Sequence, residues 1–480
     1  MTQDPLDWIL LAVQLVYLVG ILVTIWFYTL PVNLVDRTAE PRALPKIVLF
    51  YPVLRELEQT MRTTFTGMAA AKYPPELLRV IAIPNANDGE TIESLDRLAT
   101  EFPFLEVLAV PPTTDASWDA VWRAWDENPK AYWWHLDKRR GDRALPPKKT
   151  RQLIWAMYQV APGNEDALLS YIDADSAVPE DYWRTAAVGM ESYDVVQNTN
   201  ITGNLLGTWP ASFYGMDHIA WDSSLYKHMS ADGKHPFYVL GKGLFFRFSD
   251  LLEVGGFHPW LTIEDPEIGM RMWTNGRRLG VVESPLVEEV PATWAQGVTQ
   301  RKRWVAGFFQ SLSKPLVRMG MTPGQRFRAR LNFVPCLSLA FNPIGFAVGA
   351  WAIVDVSRGG VLSPVTAIVS AFTMLLALGL LLRGMRQALV MSRPVLPRLR
   401  DRVGYMLRVN LVFMLGYWLW WLLPLAKGFS MYVRDTGLVW ERTEKRDANN
   451  ELIRGGVTPV TTSTHTAAHR ASEDVEATAS

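Results

Sequence analysis

Three short clusters carry side chains able to handle a charged substrate. Asp173 and Asp175, in ALLSYIDADS, follow directly on an apolar run that reads as a buried strand. Residues two apart on an extended chain point to the same side, so both carboxylates are expected to converge on one cation. The place would be the carboxyl end of a sheet, where open α/β folds bind ligands. A pair of this kind suits Mg²⁺ or Mn²⁺, which bind through one or two carboxylates and complete their shell with substrate phosphates. A solvated turn capped by its own Asp is the competing reading.

Glu264 and Asp265 form the second cluster, in VGGFHPWLTIEDPEIGMRM. The Pro266 and Glu267 that follow look like the first turn of a helix, and a carboxylate held at a loop-to-helix junction is well sited to take a proton from a substrate hydroxyl. Plain helix capping would use the same residues. The third cluster is Gln300-Arg301-Lys302-Arg303-Trp304. Gln300, Arg303 and Trp304 lie three or four positions apart, so one helix face offers an amide, a guanidinium fork and an indole to a single ligand. That trio suits a phosphorylated sugar, with Arg on the phosphate and Trp against the ring. An interfacial helix on anionic lipid fits the same letters, since Phe308, Phe309 and Leu312 continue an apolar stripe.

The elements that must position these groups follow from hydropathy. From about residue 42 to 325, apolar runs alternate with amphipathic stretches: Lys46–Tyr51, Val80–Pro84, Leu105–Val110, Ala167–Ile172, Val195–Asn198 and Leu279–Glu283, with a further strand-like LFFRF run after Gly241-Lys242-Gly243. Strands alternating with helices predict an α/β domain with a mainly parallel sheet. Before it, Trp8–Leu30 is uncharged and long enough to cross a hydrocarbon layer of about 30 Å, so residues 8–30 are predicted to be a transmembrane helix. MTQDPLD before it is acidic, unlike the basic start of a cleaved signal peptide. Arg37, Arg42 and Lys46 follow the helix, which places residue 40 onwards in the cytoplasm by the positive-inside bias.

A second membrane region is predicted at 331–432, from the apolar runs Leu331–Val356, Pro364–Leu382 and Val409–Leu425. An outside amino terminus and four spans would put the basic stretch Arg442–Arg446 outside as well, so two or three of these runs cross and the total is three or four. The Pro-interrupted first run and the Trp-rich last one are the candidates for a re-entrant or interfacial segment. Residues 455–480 are small and polar and are predicted to be disordered.

Composition narrows the partners. With 48 basic and 48 acidic residues there is no excess charge for nucleic acid, and with Cys336 the single cysteine there is no internal disulfide.

In their order and surroundings the three clusters resemble those of membrane-integrated family 2 glycosyltransferases of the cellulose, hyaluronan and chitin synthase-like group. Asp173-Ala174-Asp175 matches the D-x-D of that group. Glu264-Asp265 with Gly269 and Arg271 looks like its E-D-x-x-x-G-x-R, and Gln300 to Trp304 fits Q-x-x-R-W. Trp440 to Lys445 is similar to a W-x-x-T-x-K-like motif after the last membrane segment. The resemblance implies a GT-A type nucleotide-sugar-binding domain, with an interfacial helix near 300–318, that carries out inverting hexosyl transfer from a nucleotide-sugar, most often a UDP-sugar.

The same resemblance implies roles. Asp175 and Asp173 would hold Mg²⁺ or Mn²⁺ at the diphosphate, Asp265 beside Glu264 would be the base, Arg303 would assist the leaving group and Trp304 would pack on the acceptor sugar. The nucleotide elements depart from the pattern: Asp88 alone stands where an acidic pair is usual, and Lys148 and Lys149 occupy the place of a Gly-Lys segment. The acceptor is expected to be a glycan or a lipid at the bilayer, with the enzyme multi-pass in the cell membrane and its catalytic domain cytoplasmic. A glycolipid synthase that adds one or a few sugars is the nearest enzymatic alternative. A transporter or scaffold with a degenerate transferase domain is the alternative from another class, disfavoured because the apolar segments hold almost no ionisable residue.

Overall fold

A computed structural model describes residues 5–136 and 142–436. Seven strands form one sheet: β1 (Ile47–Pro52), β2 (Leu78–Ile83), β3 (Leu105–Val107), β4 (Leu168–Tyr171), β5 (Val195–Thr202), β6 (Leu244–Arg247) and β7 (Leu279–Glu288). Their order is β3-β2-β1-β4-β6-β5-β7, parallel at every pairing except the two made by β6. All six residues of β1 are buried, as expected of a strand covered on both faces. Alternate side chains divide between two cores. Val48, Phe50, Leu169 and Tyr171 pack with a Trp-rich cluster on one face, and Ile47, Leu49, Tyr51 and Leu168 on the other.

The register explains where a site can form. In the antiparallel pairing Tyr171 sits opposite Leu244, so the loop leaving β4 and the loop entering β6 meet at one edge. That edge brings Asp173 and Asp175 to Gly241-Lys242-Gly243. Strand β7 runs five residues past its expected end at Glu283. Pro285 falls where the β5 pairing shifts register between Asn198 and Asn200, so the missing N–H is absorbed by an irregularity and the strand continues to Glu288.

The helices that bear on the site are α1 (Pro5–Tyr28), α2 (Glu58–Ala70), α3 (Gly89–Glu101), α4 (Lys149–Val160), α5 (Tyr182–Met190), α6 (Trp209–Ala220), α7 (Asp265–Thr274), α8 (Trp294–Leu312), α9 (Val334–Leu339), α10 (Asn342–Ser357), α11 (Pro364–Met391), α12 (Leu411–Trp420) and α13 (Leu422–Val433). Among the described residues three helical runs are long and apolar enough to cross a membrane: Pro5–Tyr28, Pro364–Met391 and Leu411–Val433. The stretch from Val334 to Ser357, bent by 47°, makes a fourth if it is one span. The break falls in the Pro-interrupted run. Only 11% of the apolar window of α11 is buried by protein, so its remaining apolar faces need another apolar phase around them.

These helices pack on one another and on the catalytic domain. Asp7 at the start of α1 accepts hydrogen bonds from Ser363 N (3.1 Å) and Thr366 Oγ1 (2.9 Å) at the start of α11. Gly20 lets α1 approach α9, where a Cβ would lie 2.5 Å from the Ser338 side chain. Helix α8 lies along α13, with Gly428 against Val305. The Trp440–Lys445 motif and the 455–480 tail lie outside the described residues.

Candidate active site

Strand β4 delivers Asp173 and Asp175 through a tight turn rather than an extended segment, with Ser176 N donating to Asp173 O (3.1 Å). The turn is clamped from below: Ala174 O accepts from Tyr51 Oη (2.6 Å) and Thr64 Oγ1 (2.9 Å). Asp175 is buried and its Oδ2 accepts from Glu289 N (2.9 Å) at the end of β7. Asp173 is the more open of the two, and its Oδ1 accepts from Lys149 Nζ (2.8 Å). The pair thus reaches the site in two environments, one fixed to the sheet and one exchangeable.

Lys149 opens α4 and also donates to Gly241 O (2.8 Å), with its ammonium 4.8 Å from the centre of the Tyr171 ring. Burial opposes its charge, but Asp173, Glu264 and Asp265 outweigh that and hold its pKa above the ordinary lysine range. Lys148 is buried against backbone, donating to Leu261 O (2.9 Å).

Asp265 is the first residue of α7, ahead of Pro266, as the sequence suggested. Its carboxylate lies against Gly241, whose φ of +67° and missing side chain make the space. Oδ1 is buried with no hydrogen-bond partner among the described residues. Burial, and then the Glu264 carboxylate beside it, push its pKa well above the usual carboxylate range, against the pull of Lys149 and Lys242. A carboxyl group so placed is an acceptor waiting for a donor from outside the protein.

Two letters of the E-D-x-x-x-G-x-R pattern prove to hold the helix rather than a ligand. Arg271 pairs with Glu267 one turn back (2.7 Å), donates to Val254 O (2.7 Å) and stacks 4.4 Å from the centre of the Trp133 ring. A side chain at Gly269 would collide with the carbonyl oxygen of Phe237. Both fix the start of α7, and so the position of Asp265.

Helix α8 splits the third cluster. Gln300, Arg303 and Trp304 face the cavity that contains the carboxylates. Arg301 is not part of that lining: wholly buried, it pairs with Asp217 of α6 (2.7 Å) beneath the Tyr214 ring at 3.8 Å. The Tyr417 hydroxyl of α12 donates to the same Asp217 oxygen. One ion pair thereby locks α8 to α6 and to a helical run long and apolar enough to cross a membrane. Burial raises the pKa of Asp217, and Arg301 opposes the rise.

One cavity of about 960 Å³ gathers Lys148, Lys149, Asp173, Asp175, Glu264, Asp265, Gln300, Arg303 and Trp304. Asp88, the remaining candidate for nucleotide binding, is absent from its lining. Asp88 Oδ2 instead accepts from Arg55 N (2.9 Å), holding the loop that brings Leu54 and Glu56 to the cavity. The structure adds groups with no role in the sequence reading. Lys242 pairs with Glu288, which also accepts from Ser176 Oγ (2.8 Å), and Asp217, His218 and Asp222 face the cavity from α6 and the turn after it. The position of Glu288 at the carboxyl end of a strand was the one available signal.

Among the described residues no three metal-ligating side chains converge, but Asp173 and Asp175 share the cavity. A carboxylate pair open to phosphate oxygens fits Mg²⁺ or Mn²⁺, which are bound largely by substrate.

A sequence model of glycosyl transferase family group 2 matches residues 168–433, more than half of the chain. No curated protein matches it. Among solved structures, the mannosyltransferase PcManGT from Pyrobaculum calidifontis in complex with GDP-Man and Mn²⁺ is similar over 90% of this chain and 99% of its own, with 16% identity and a TM-score of 0.54. At that identity the likeness bears on fold alone, and with the seven-stranded sheet it establishes a GT-A-like α/β fold. TarS 1-349 from S. aureus in complex with UDP aligns with 57% of this chain and 68% of its own at 12% identity, but its TM-score of 0.30 carries no argument.

Proposed function

Since the chain belongs to glycosyl transferase family group 2 and has a GT-A-like fold, we propose that this glycosyltransferase moves a sugar from a nucleotide-sugar, with inversion, to an acceptor held at the bilayer. The observation that carries the reading is the convergence of Asp173, Asp175, Asp265, Gln300, Arg303 and Trp304 on one cavity that continues between α1, α11 and α12.

In this mechanism the donor diphosphate lies across the Asp173–Asp175 turn, with Arg303 on its charge and Trp304 beneath the acceptor sugar. Asp173 and Asp175 would hold a divalent cation, which when bound would supply positive charge to the leaving diphosphate. Asp265 accepts the proton of the attacking hydroxyl. The new bond from the acceptor oxygen to the anomeric carbon forms as the bond to the diphosphate oxygen breaks, and the nucleoside diphosphate leaves with both electrons. A single displacement from the opposite face inverts the centre. Lys149 releases Asp173 to the incoming donor and remains within reach of its phosphates.

The resemblance to polysaccharide synthases favours a UDP-sugar, while PcManGT is complexed with GDP-Man, so both nucleotides belong in the donor panel. Arg37, Arg42 and Lys46 after α1 support a cytoplasmic catalytic domain spanning 42–325. The test is nucleotide release from a panel of UDP- and GDP-sugars, by membranes carrying the full chain with Mn²⁺ or Mg²⁺. One donor should be consumed, and Asp265→Asn should bind it as well as the unaltered chain while transfer falls by about 10²–10⁴-fold. Equal loss of binding and transfer would give Asp265 a folding role instead.

A further inference from the structure

The cavity does not end at the carboxylates. Along α11 its lining runs from Thr373 to Gln387, about 21 Å of helix at 1.5 Å per residue. Along α1 it runs from Tyr17 to Tyr28, about 16 Å by the same rise. Ile21, Met374, Ala377, Leu380, Leu381 and Leu415 form these walls, and none of the lining residues from α1, α11, α12 or α13 is charged. A sugar chain buried there would leave most of its hydroxyls unpaired, at a cost for each, whereas a hydrocarbon chain needs no partner.

A polar group waits where this crevice meets the catalytic domain. His218 lies in the last turn of α6, directly before a single π-helical turn, Trp221–Leu225. Such turns are frequent at functional sites because they re-aim the side chains around them. Asp222 Oδ2 is 2.9 Å from His218 Nδ1, and the His218 side chain is only 7% exposed. Burial works against the charge of Asp222, yet His218 outweighs it and holds the carboxyl below its ordinary range. A carboxylate can only accept, so Nδ1 carries a proton toward Asp222. The other ring nitrogen, Nε2, is buried and has no hydrogen-bond partner among the described residues. The ring stands edge-on to Trp304, with centroids 5.8 Å apart. His218 and Asp222 line the same cavity as Lys242 and Asp265.

We propose that the acceptor is a lipid, its apolar chain lying in the crevice between α1 and α11 and a hydroxyl of its head group hydrogen-bonded to His218 Nε2 beside Trp304. This rests on the transferase reading above and narrows it. Asp222 positions the imidazole, and Asp265 takes the proton of the attacking hydroxyl.

The test uses membranes bearing the full chain, incubated with the radiolabelled donor that the panel identifies and then extracted with chloroform and methanol. The label should enter the organic phase. His218→Ala should lower that transfer by about tenfold or more, as expected for a lost hydrogen bond to a buried group. His218→Gln, which keeps an acceptor atom, should recover part of it. Ala377→Trp, which fills the crevice, should raise the acceptor KM for a hexadecyl glycoside far more than for its octyl analogue. Protection of each variant against thermal unfolding by donor nucleotide should stay as in the unaltered chain, which separates lost acceptor contacts from lost folding. Label confined to a water-soluble glycan, or unchanged transfer in both His218→Ala and Ala377→Trp, would overturn the lipid assignment and leave the transferase intact. Absence of transfer from every donor, with Asp265→Asn no different from the unaltered chain, would overturn both.

Discussion

Replacing Gly241 with Ala displaces the proposed base without removing it. A Cβ at this position would stand 2.9 Å from Asp265 Cγ and 3.0 Å from Oδ2, and closer still to Oδ1, whereas ordinary contacts begin near 3.4 Å. The carboxyl group must therefore retreat by about 0.5–1 Å, and misplacement on that scale costs about 10²-fold in rate. The positive φ adds roughly 1–2 kcal/mol of backbone strain, which should show separately as a lower midpoint of thermal unfolding. Gly241 O also accepts from Lys149, so the loop has little freedom to move away instead. Steady-state kinetics with the donor found in the panel should show kcat down by about 10²-fold and donor KM little altered. An unchanged kcat in a folded Gly241→Ala chain would refute the placement of Asp265 at the reacting hydroxyl.

Other consequences follow from the same contacts. Because burial and Glu264 raise the pKa of Asp265, its basic form appears only above the usual carboxylate range, so kcat/KM should fall on acidification at a higher pH than for an ordinary Asp. Glu264→Gln removes the nearer like charge, while Lys149, Lys242 and Asp173 still face the group, and should move that acid limb downward in a pH–rate profile; an unmoved limb would assign it to another residue. Asp217→Asn leaves the Arg301 guanidinium buried beside a neutral partner and should cost about 3–5 kcal/mol, seen as a large drop in unfolding temperature, whereas no change would mean that α8 is held elsewhere. Chelation should stop transfer and Mn²⁺ or Mg²⁺ restore it; full activity in chelator would remove the proposed cation from the Asp173–Asp175 pair.

The sheet was legible because its strands are short apolar runs between amphipathic stretches, and β1 needed no long-range information. The apolar run Leu279–Glu283 ends short of Pro285, and only the register shift against β5 shows that strand β7 continues through that proline. That shortening hid Glu288 and Glu289, which support Asp175 and Lys242. Helix α11 continues past its apolar stretch through Arg383, whose guanidinium lies 4.0 Å from the centre of the Tyr28 ring, since hydropathy marks where lipid would end and not where the helix does.

The acids and the Gln300–Trp304 face were legible as types and spacing, but their partners were not. Asp217 and Arg301 are 84 residues apart, and nothing around Asp217 or His218 forms a motif, so only tertiary packing reveals them. Arg271 shows the reverse case, for its letter matched a catalytic pattern while its guanidinium braces the α7 helix.

The most direct measurement is a structure of the full chain in a lipid bilayer, with Mn²⁺ and the nucleoside diphosphate of the donor that the panel identifies. The account predicts the diphosphate between the Asp173–Asp175 turn and Arg303, within the cavity that Asp265 and Trp304 share. A nucleotide bound in a separate pocket, with Asp265 turned away from it, would contradict the account.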